Sequence, residues 1–243
     1  MGEALAKTPM RVRTSCDACP IRERAVCSHC GEPELQALNS VKSYRSFSKG
    51  EDIITAGENS VFVASIVNGV IAMTKTLPDG RRQVVGLQFP SDFVGGALRD
   101  VPTYDAVAVT DVLLCQFDRK AFRQLLEETP ALRNRLLEMT LDELDAAREW
   151  LALLGQKSAQ EKVASFLLMI ARRNRVTVDQ NELTADLPIT RAEIGEFLGL
   201  TLETVSRQLS KLKGAKLIDF KTTRRFSVPD VGALQEAAGD IVS

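Results

Sequence analysis

Histidine occurs once in the 243 residues of this chain, and no uninterrupted apolar run of about 18 residues is present. Nothing from Met1 to Arg13 is apolar enough for a secretory leader. The missing run argues against a membrane-spanning helix, and the missing leader points to a reducing compartment, the cytoplasm. There, paired cysteines bind metal or react more often than they close structural disulfides. The lone histidine, His29, is wedged beside Cys30 and reads as a bystander. An excess of one charge is also lacking, with 31 Lys and Arg against 32 Asp and Glu. Between Gly155 and Ser227, however, thirteen basic residues face eight acidic ones, a local +5 that leaves −6 elsewhere. Such a stretch points to a polyanionic partner, although a solvated helical face accounts for so modest an excess equally well.

What the chain has is 44% hydrophobic residues, enough for the cores of two domains. After a helix-like piece at Glu34–Leu38, short β-prone runs fill residues 42–117. Phe62–Val67, Ile71–Thr76, Gln83–Gln88, Ala106–Val109 and Val112–Phe117 are punctuated by Asn68-Gly69, Pro78-Asp79-Gly80 and Pro90-Ser-Asp. Runs of this length predict an antiparallel barrel or roll. From Arg119 the period becomes helical, with a long helix expected from Ala131 to Leu154 and ended by Gly155. Within it Leu137, Leu144 and Leu151 alternate by three and four with Thr140, Ala147 and Leu154, which predicts a coiled-coil seam and a homodimer. An amphipathic helix packed on its own domain is the competing explanation. Leu132, Leu136 and Met139 lie off this seam and are expected to cover the roll. The fold class is therefore α+β: a cysteine-rich segment (1–30), a β-roll (31–118), a dimerisation helix region (119–155) and a C-terminal domain (156–243).

That last domain carries a helix-turn-helix pattern. Thr190 with Glu193 fits a capping box, Gly199 supplies a tight turn, and Leu217–Val228 reads as the hairpin of a winged helix. Core positions Val205, Leu209 and Leu212 leave Thr201, Glu203, Thr204, Ser206, Arg207 and Ser210 facing solvent at the start of the second helix. In this motif that end enters the major groove of double-stranded DNA. Glu203 suits cytosine N4, Arg207 suits guanine O6 and N7, and Ser206 suits either base. Lys211, Lys213, Lys216, Arg224 and Arg225 suit phosphates.

The cysteines read as Cys16-x2-Cys19-x7-Cys27-x2-Cys30, with Cys115 alone in an apolar run. By themselves the four N-terminal thiols fit a zinc site or an iron–sulfur cluster about equally. Cys115, among Leu113, Leu114 and Phe117, would by itself be a small buried hydrophobe. Neither Cys-x-x-Cys has the βαβ context of a thiol oxidoreductase.

The order of roll, long helix and winged helix, with Gly199-Leu-Thr-Leu-Glu203-Thr-Val-Ser206-Arg207, resembles the FNR branch of the CRP-FNR superfamily of bacterial transcription regulators. With Leu141-Asp-Glu-Leu-Asp-Ala-Ala-Arg-Glu-Trp150, the similarity is greatest to the alphaproteobacterial FnrL/FnrN type, and it covers nearly the whole chain. The resemblance implies a non-enzymatic, oxygen-responsive regulator whose Glu203, Ser206 and Arg207 read a TTGAT half-site. It implies three N-terminal ligands and one on the roll for a [4Fe–4S] cluster: Cys16, Cys19, Cys27 and Cys115, with Cys30 as a spare that the sequence leaves open in place of Cys27. It further implies contact with RNA polymerase through the loop Thr76–Gly80. The stretch that would hold a cyclic nucleotide reads Pro102-Thr-Tyr-Asp105, without the required arginine, so that ligand is not expected. The alternative is a zinc-stabilised, constitutively DNA-binding relative.

Overall fold

The computed structural model describes residues 15–16, 18–179 and 182–240, the side chains of 175–179 and 182 excepted. It comprises two compact units, one drawn from Met1–Ile71 and Pro90–Thr140, the other from Ala72–Phe89 and Leu141–Ser243. In chain order the elements run α1 (Glu32–Val41), β1 (Lys42–Phe47), β2 (Asp52–Ile54), β3 (Phe62–Asn68), β4 (Ile71–Thr76) and β5 (Arg82–Gln88). They continue with β6 (Phe93–Val94), β7 (Asp105–Ala108), β8 (Val112–Asp118), α2 (Arg119–Glu128) and α3 (Pro130–Gln156). The remainder is α4 (Ala159–Arg173), β9 (Arg175–Asp179), β10 (Glu182–Asp186), α5 (Arg191–Leu198), α6 (Leu202–Gly214), β11 (Asp219–Phe220), β12 (Arg225–Val228) and α7 (Val231–Ala237). The expected α+β class is what the chain adopts. No helix of the described residues is long and apolar enough to cross a membrane.

In the first unit an antiparallel sheet runs in the order β1-β8-β3-β6, and β2 pairs with β7. Six consecutive residues of β8 are buried, so both faces of this strand are covered. The two-residue period of the strand divides them between two cores. Val112 and Leu114 join Phe47, Ile54, Ile66 and Ile71 inside the roll. Leu113, Cys115 and Phe117 join Leu38, Phe122, Leu126 and Leu132 on the side that the helices cover. Leu136 and Met139 of α3 pack against this second core together with Cys16, Cys19 and Cys27, as their off-seam spacing predicts.

The second unit is organised around α4, whose Val163, Phe166, Leu167 and Ile170 are buried at helical spacing. Phe166 meets the edge of Phe197 at 5.8 Å, and Trp150 stacks on the same ring at 4.1 Å. A sheet ordered β11-β12-β10-β9 completes the wing. Three features depart from the sequence expectation. Helix α3 continues through Gly155 to Gln156, because no positive φ is required there and the chain is redirected only at Ser158, which caps α4 by accepting from the Glu161 N–H. Strands β9 and β10 and helix α7 are short elements without a long periodic run to announce them. Arg225, expected on a DNA phosphate, is instead clamped to Asp186 by two parallel hydrogen bonds, Nε to Oδ1 at 2.8 Å and Nη2 to Oδ2 at 2.7 Å.

This clamp ties the ends of β10 and β12 together across their ladder. The Arg225 guanidinium holds the Asp186 carboxyl below the usual carboxylate range, with partial burial opposing it. A depressed carboxylate pKa contributes stability above the unfolded pKa, and that contribution is lost as pH falls through the folded value. Both side chains are partly exposed, so solvent screens the pair and the expected cost of Asp186→Asn at pH 7 is about 1 kcal/mol or less. Thermal melts should show that difference closing as the solution is acidified from about pH 4 towards pH 2.

Candidate functional site

The described residues before α1, 15–16 and 18–31, form tight turns rather than a helix or strand. Cys19 N–H donates to the Cys16 carbonyl at 3.4 Å, Arg22 N–H to Cys19 at 3.0 Å, Ala25 N–H to Ile21 at 2.9 Å and Cys30 N–H to Cys27 at 3.1 Å. The Arg22 guanidinium closes the segment, donating from Nη1 to the Cys27 carbonyl at 2.6 Å and from Nη2 to the Cys30 carbonyl at 2.7 Å. Fully buried Ala25 and Val26 and nearly buried Ile21 anchor it in the helix-side core. Arg135 of α3 donates to the Arg24 carbonyl at 3.1 Å and pairs with Glu138, whose carboxylate also lies 3.8 Å from His29 Nδ1.

These turns bring Cys16, Cys19 and Cys27 to one pocket with Cys115. Ile21, Ala25, Leu38, Tyr44, Ser65 and Phe117 complete its wall. Cys30 is buried nearby in the same core but does not line the pocket. The four thiols that the family resemblance implies as ligands thus line one pocket although they come from stretches almost a hundred residues apart, and Cys30 does not line it. No group of three or more His, Cys, Asp or Glu side chains among the described residues is placed to hold a metal ion. The four sulfurs border one small, largely apolar pocket. A sulfur-only donor set in an apolar wall fits an iron–sulfur cluster chemically.

Burial favours the protonated thiol at Cys27, Cys30 and Cys115. Burial pushes Cys115 up to about 12, against the pull of the Lys42 ammonium and with Cys19, Cys16 and Cys27 adding to the rise. Burial likewise raises Cys30 to about 11, helped by Glu34. Cys27 is raised by burial too, with Arg22 opposing. Lys42 Nζ donates to Cys16 Sγ at 3.3 Å, and Cys16 S–H reaches Asn39 Oδ1 at 3.7 Å. Lys42, Tyr44, Ser65 and Arg22 were not singled out from the sequence. Tyr44 and Ser65 flank Cys115 in register on β1 and β3, a juxtaposition visible only once strand pairing is known.

The expected seam of α3 is largely uncovered. Leu137 is 59% exposed and Leu151 69%, and Leu144, Thr140 and Ala147 are exposed as well, while Leu154 is half-buried. Leu141, outside the predicted seam, is also exposed. Large exposed aliphatics in a row on one helix mark a surface that takes a partner.

In the second unit, the predicted Thr190–Glu193 capping box starts α5 and Gly199 ends it in the left-handed conformation. Gly195 is a second glycine the turn needs: a Cβ there would meet the Leu200 carbonyl oxygen at 2.6 Å. Thr201 caps α6, its Oγ1 accepting from the Thr204 N–H at 3.2 Å. Val205, Leu209 and Leu212 are buried, as expected, so Glu203, Arg207, Ser210 and Lys211 lie exposed, with Thr204 and Ser206 half-buried among them. Arg207 Nη2 rests 3.4 Å from Thr204 Oγ1, and the Ser210 hydroxyl bonds back to the Ser206 carbonyl at 3.0 Å. Glu203 is held below the ordinary range by a bond to its own backbone N–H and by the Thr201 hydroxyl, so it is a carboxylate at neutral pH.

A family profile described as a Crp-like helix-turn-helix domain matches residues 161–237, and one described as a cyclic nucleotide-binding domain matches residues 44–129. The transcriptional activator protein FnrL of Cereibacter sphaeroides is 51% identical over 228 residues, 93% of this chain and 92% of its own. The nitrogen fixation regulation protein FixK of Bradyrhizobium diazoefficiens is 39% identical over 198 residues, 82% of this chain and 83% of its own. The solved structure of FixK2 from Bradyrhizobium japonicum superposes with a TM-score of 0.75 at 32% identity, covering 84% of this chain and 99% of that one.

The pocket makes a prediction independent of any bound group. The thiolate is the form that alkylates, so Cys115 and Cys30 should label with iodoacetamide far more slowly at pH 8 than an exposed thiol. Peptide mapping of the reduced, metal-free protein after a short pulse checks this. Rapid labelling of Cys115 would show the pocket to be open.

Proposed function

The chain belongs to the CRP-FNR superfamily of transcription regulators, and from that membership we propose an oxygen-responsive regulator that binds a palindromic FNR-type site as a homodimer while Cys16, Cys19, Cys27 and Cys115 hold a [4Fe–4S] cluster. Its relatives named above are regulators of transcription rather than enzymes, and this chain is a DNA-binding regulator of the same kind. The oxygen switch is supported by one observation above others: three turn cysteines and one strand cysteine line a single apolar pocket that excludes the fifth. When bound, the cluster supplies an oxygen-labile crosslink among four thiolates.

The chain's own residues determine what that crosslink does. Cys115 is fixed in β8, so a bond to it fastens the 16–30 segment to the sheet. Burial favours the protonated thiols, which must release their protons before ligation, so loading is favoured by rising pH. Arg22 keeps the segment folded tightly enough for Cys16, Cys19 and Cys27 to face the pocket together. Leu136, Met139 and Arg135 of α3 touch the same segment and core, so its ordering bears on the helix that displays Leu137 and Thr140. The seam Leu137, Thr140, Leu144, Ala147, Leu151 and Leu154 is proposed to pair two copies. Two readers related by a two-fold axis then meet half-sites about one DNA turn apart.

On the reader, Glu203, Ser206 and Arg207 are proposed to contact bases, with Thr201, Thr204, Ser210 and Lys211 beside them on bases or phosphates. The turn between β4 and β5, where exposed Leu77 lies near the Asp79–Arg81 ion pair, is the proposed RNA polymerase contact. A cyclic nucleotide is not the effector in this reading. The stretch 102–105 offers no arginine, and the Asp105 carboxylate there accepts from the Ala56 N–H at 2.8 Å, an anion unsuited to a phosphate. The cytoplasm is the proposed location.

Anaerobic purification followed by iron, acid-labile sulfide and zinc analysis tests the switch. About four iron and four sulfide per chain are expected, retained in Cys30→Ser and lost in Cys115→Ser. About one zinc without sulfide would leave a constitutive DNA-binding regulator in its place. The reader is tested by Arg207→Ala in DNA titrations at fixed salt. A loss of about 1–3 kcal/mol is expected on a TTGAT palindrome, with much less on a site altered at the guanine.

A further inference from the structure

Ser65 stands on β3 directly opposite Cys115 of β8, and residues so paired project to the same face of the sheet. Its side chain is 2% exposed and lines the pocket shared by Cys16, Cys19, Cys27 and Cys115. Its hydroxyl has no hydrogen-bond partner among the described residues. A buried hydroxyl without a partner is costly, and native proteins leave few of them unexplained. Apart from Tyr44, the rest of the wall is sulfur and hydrocarbon side chains, a poor host for water, which needs two or more polar partners.

We infer that Ser65 is a positioning residue for the group bound in this pocket, its hydroxyl donating a hydrogen bond to a sulfur beside Cys115. This rests on the cluster reading of the pocket. A donor aimed at a cluster sulfur withdraws charge from it and sets how readily dioxygen oxidises the group. Lys42 Nζ likewise donates to the sulfur of a pocket cysteine, Cys16, at 3.3 Å. The orphaned hydroxyl of the metal-free chain is therefore a polar group awaiting its acceptor.

The experiment compares parent, Ser65→Ala and Ser65→Thr as full-length chains purified without oxygen. Iron and sulfide content of the parent comes first, and a parent lacking both would overturn the cluster reading and this inference together. In loaded protein, visible absorbance on exposure to air is expected to decay roughly fivefold faster in Ser65→Ala, the rate equivalent of one neutral hydrogen bond. Ser65→Thr, which keeps the hydroxyl, should stay near the parent rate. In metal-free protein, Ser65→Ala should raise the thermal midpoint, because an unpartnered group is removed, while lowering that of the loaded form. Ser65→Ala protein with parental iron and sulfide that decays at the parental rate would overturn the inference and leave the cluster reading standing. So would equal shifts, in one direction, of the metal-free and loaded midpoints.

Discussion

The antiparallel ladder that fixes Cys115 between Tyr44 on β1 and Ser65 on β3 is the constraint on which the first unit depends. A residue in the middle of a strand covered on both faces has no freedom to seek partners. Its period-2 position sends the sulfur towards the helices rather than into the roll. The N-terminal turns must therefore come to it, and the Arg22 clamp, Ile21, Ala25 and Val26 are what bring them. The same core receives Leu132, Leu136 and Met139, so the long helix is seated by the residues that also build the pocket. Pocket and helix are consequently two faces of one packing arrangement.

Much of this was legible beforehand, and the reasons are local. Leu132, Leu136 and Met139 announced a covered helix face through helical spacing, and Thr190, Glu193 and Gly199 announced a helix boundary through capping chemistry. The pocket cysteines were legible in type but not in place. Spacing left zinc and iron–sulfur chemistry level, and only the resemblance to the FNR branch joined Cys115 to them. Ser65 and Tyr44 gave no signal because strand register pairs them with Cys115, 50 and 71 positions away, and Lys42 gave none because its hydrogen bond reaches Cys16, 26 positions away. Arg225 misled for a related reason. A basic residue on a wing suggests phosphate, and its partner Asp186 lies on a strand that the sequence did not announce.

The two units handle exposed chemistry differently. In the first, Cys115 and Cys30 are buried and their acidity suppressed, which keeps these two thiols unreactive. In the second, hydroxyls, a carboxylate and a guanidinium are displayed on one end of α6, while Val205, Leu209 and Leu212 hold its other face to the core. Between Leu137 and Leu151, α3 spends its surface on uncovered leucines rather than on charge alone, a disposition that suits a second copy better than water.

The clearance at Gly195 has a consequence for how this chain can vary. The α5–α6 turn closes so tightly that the Leu200 carbonyl oxygen occupies the space a first side-chain carbon would need. Every other amino acid adds that carbon, so position 195 has no neutral neighbours in sequence space. Substitutions at the exposed Glu203 and Arg207 of α6 meet no such barrier, but each such variant inherits the same fixed hinge. Drift can change the exposed face of the helix far more easily than how it is held.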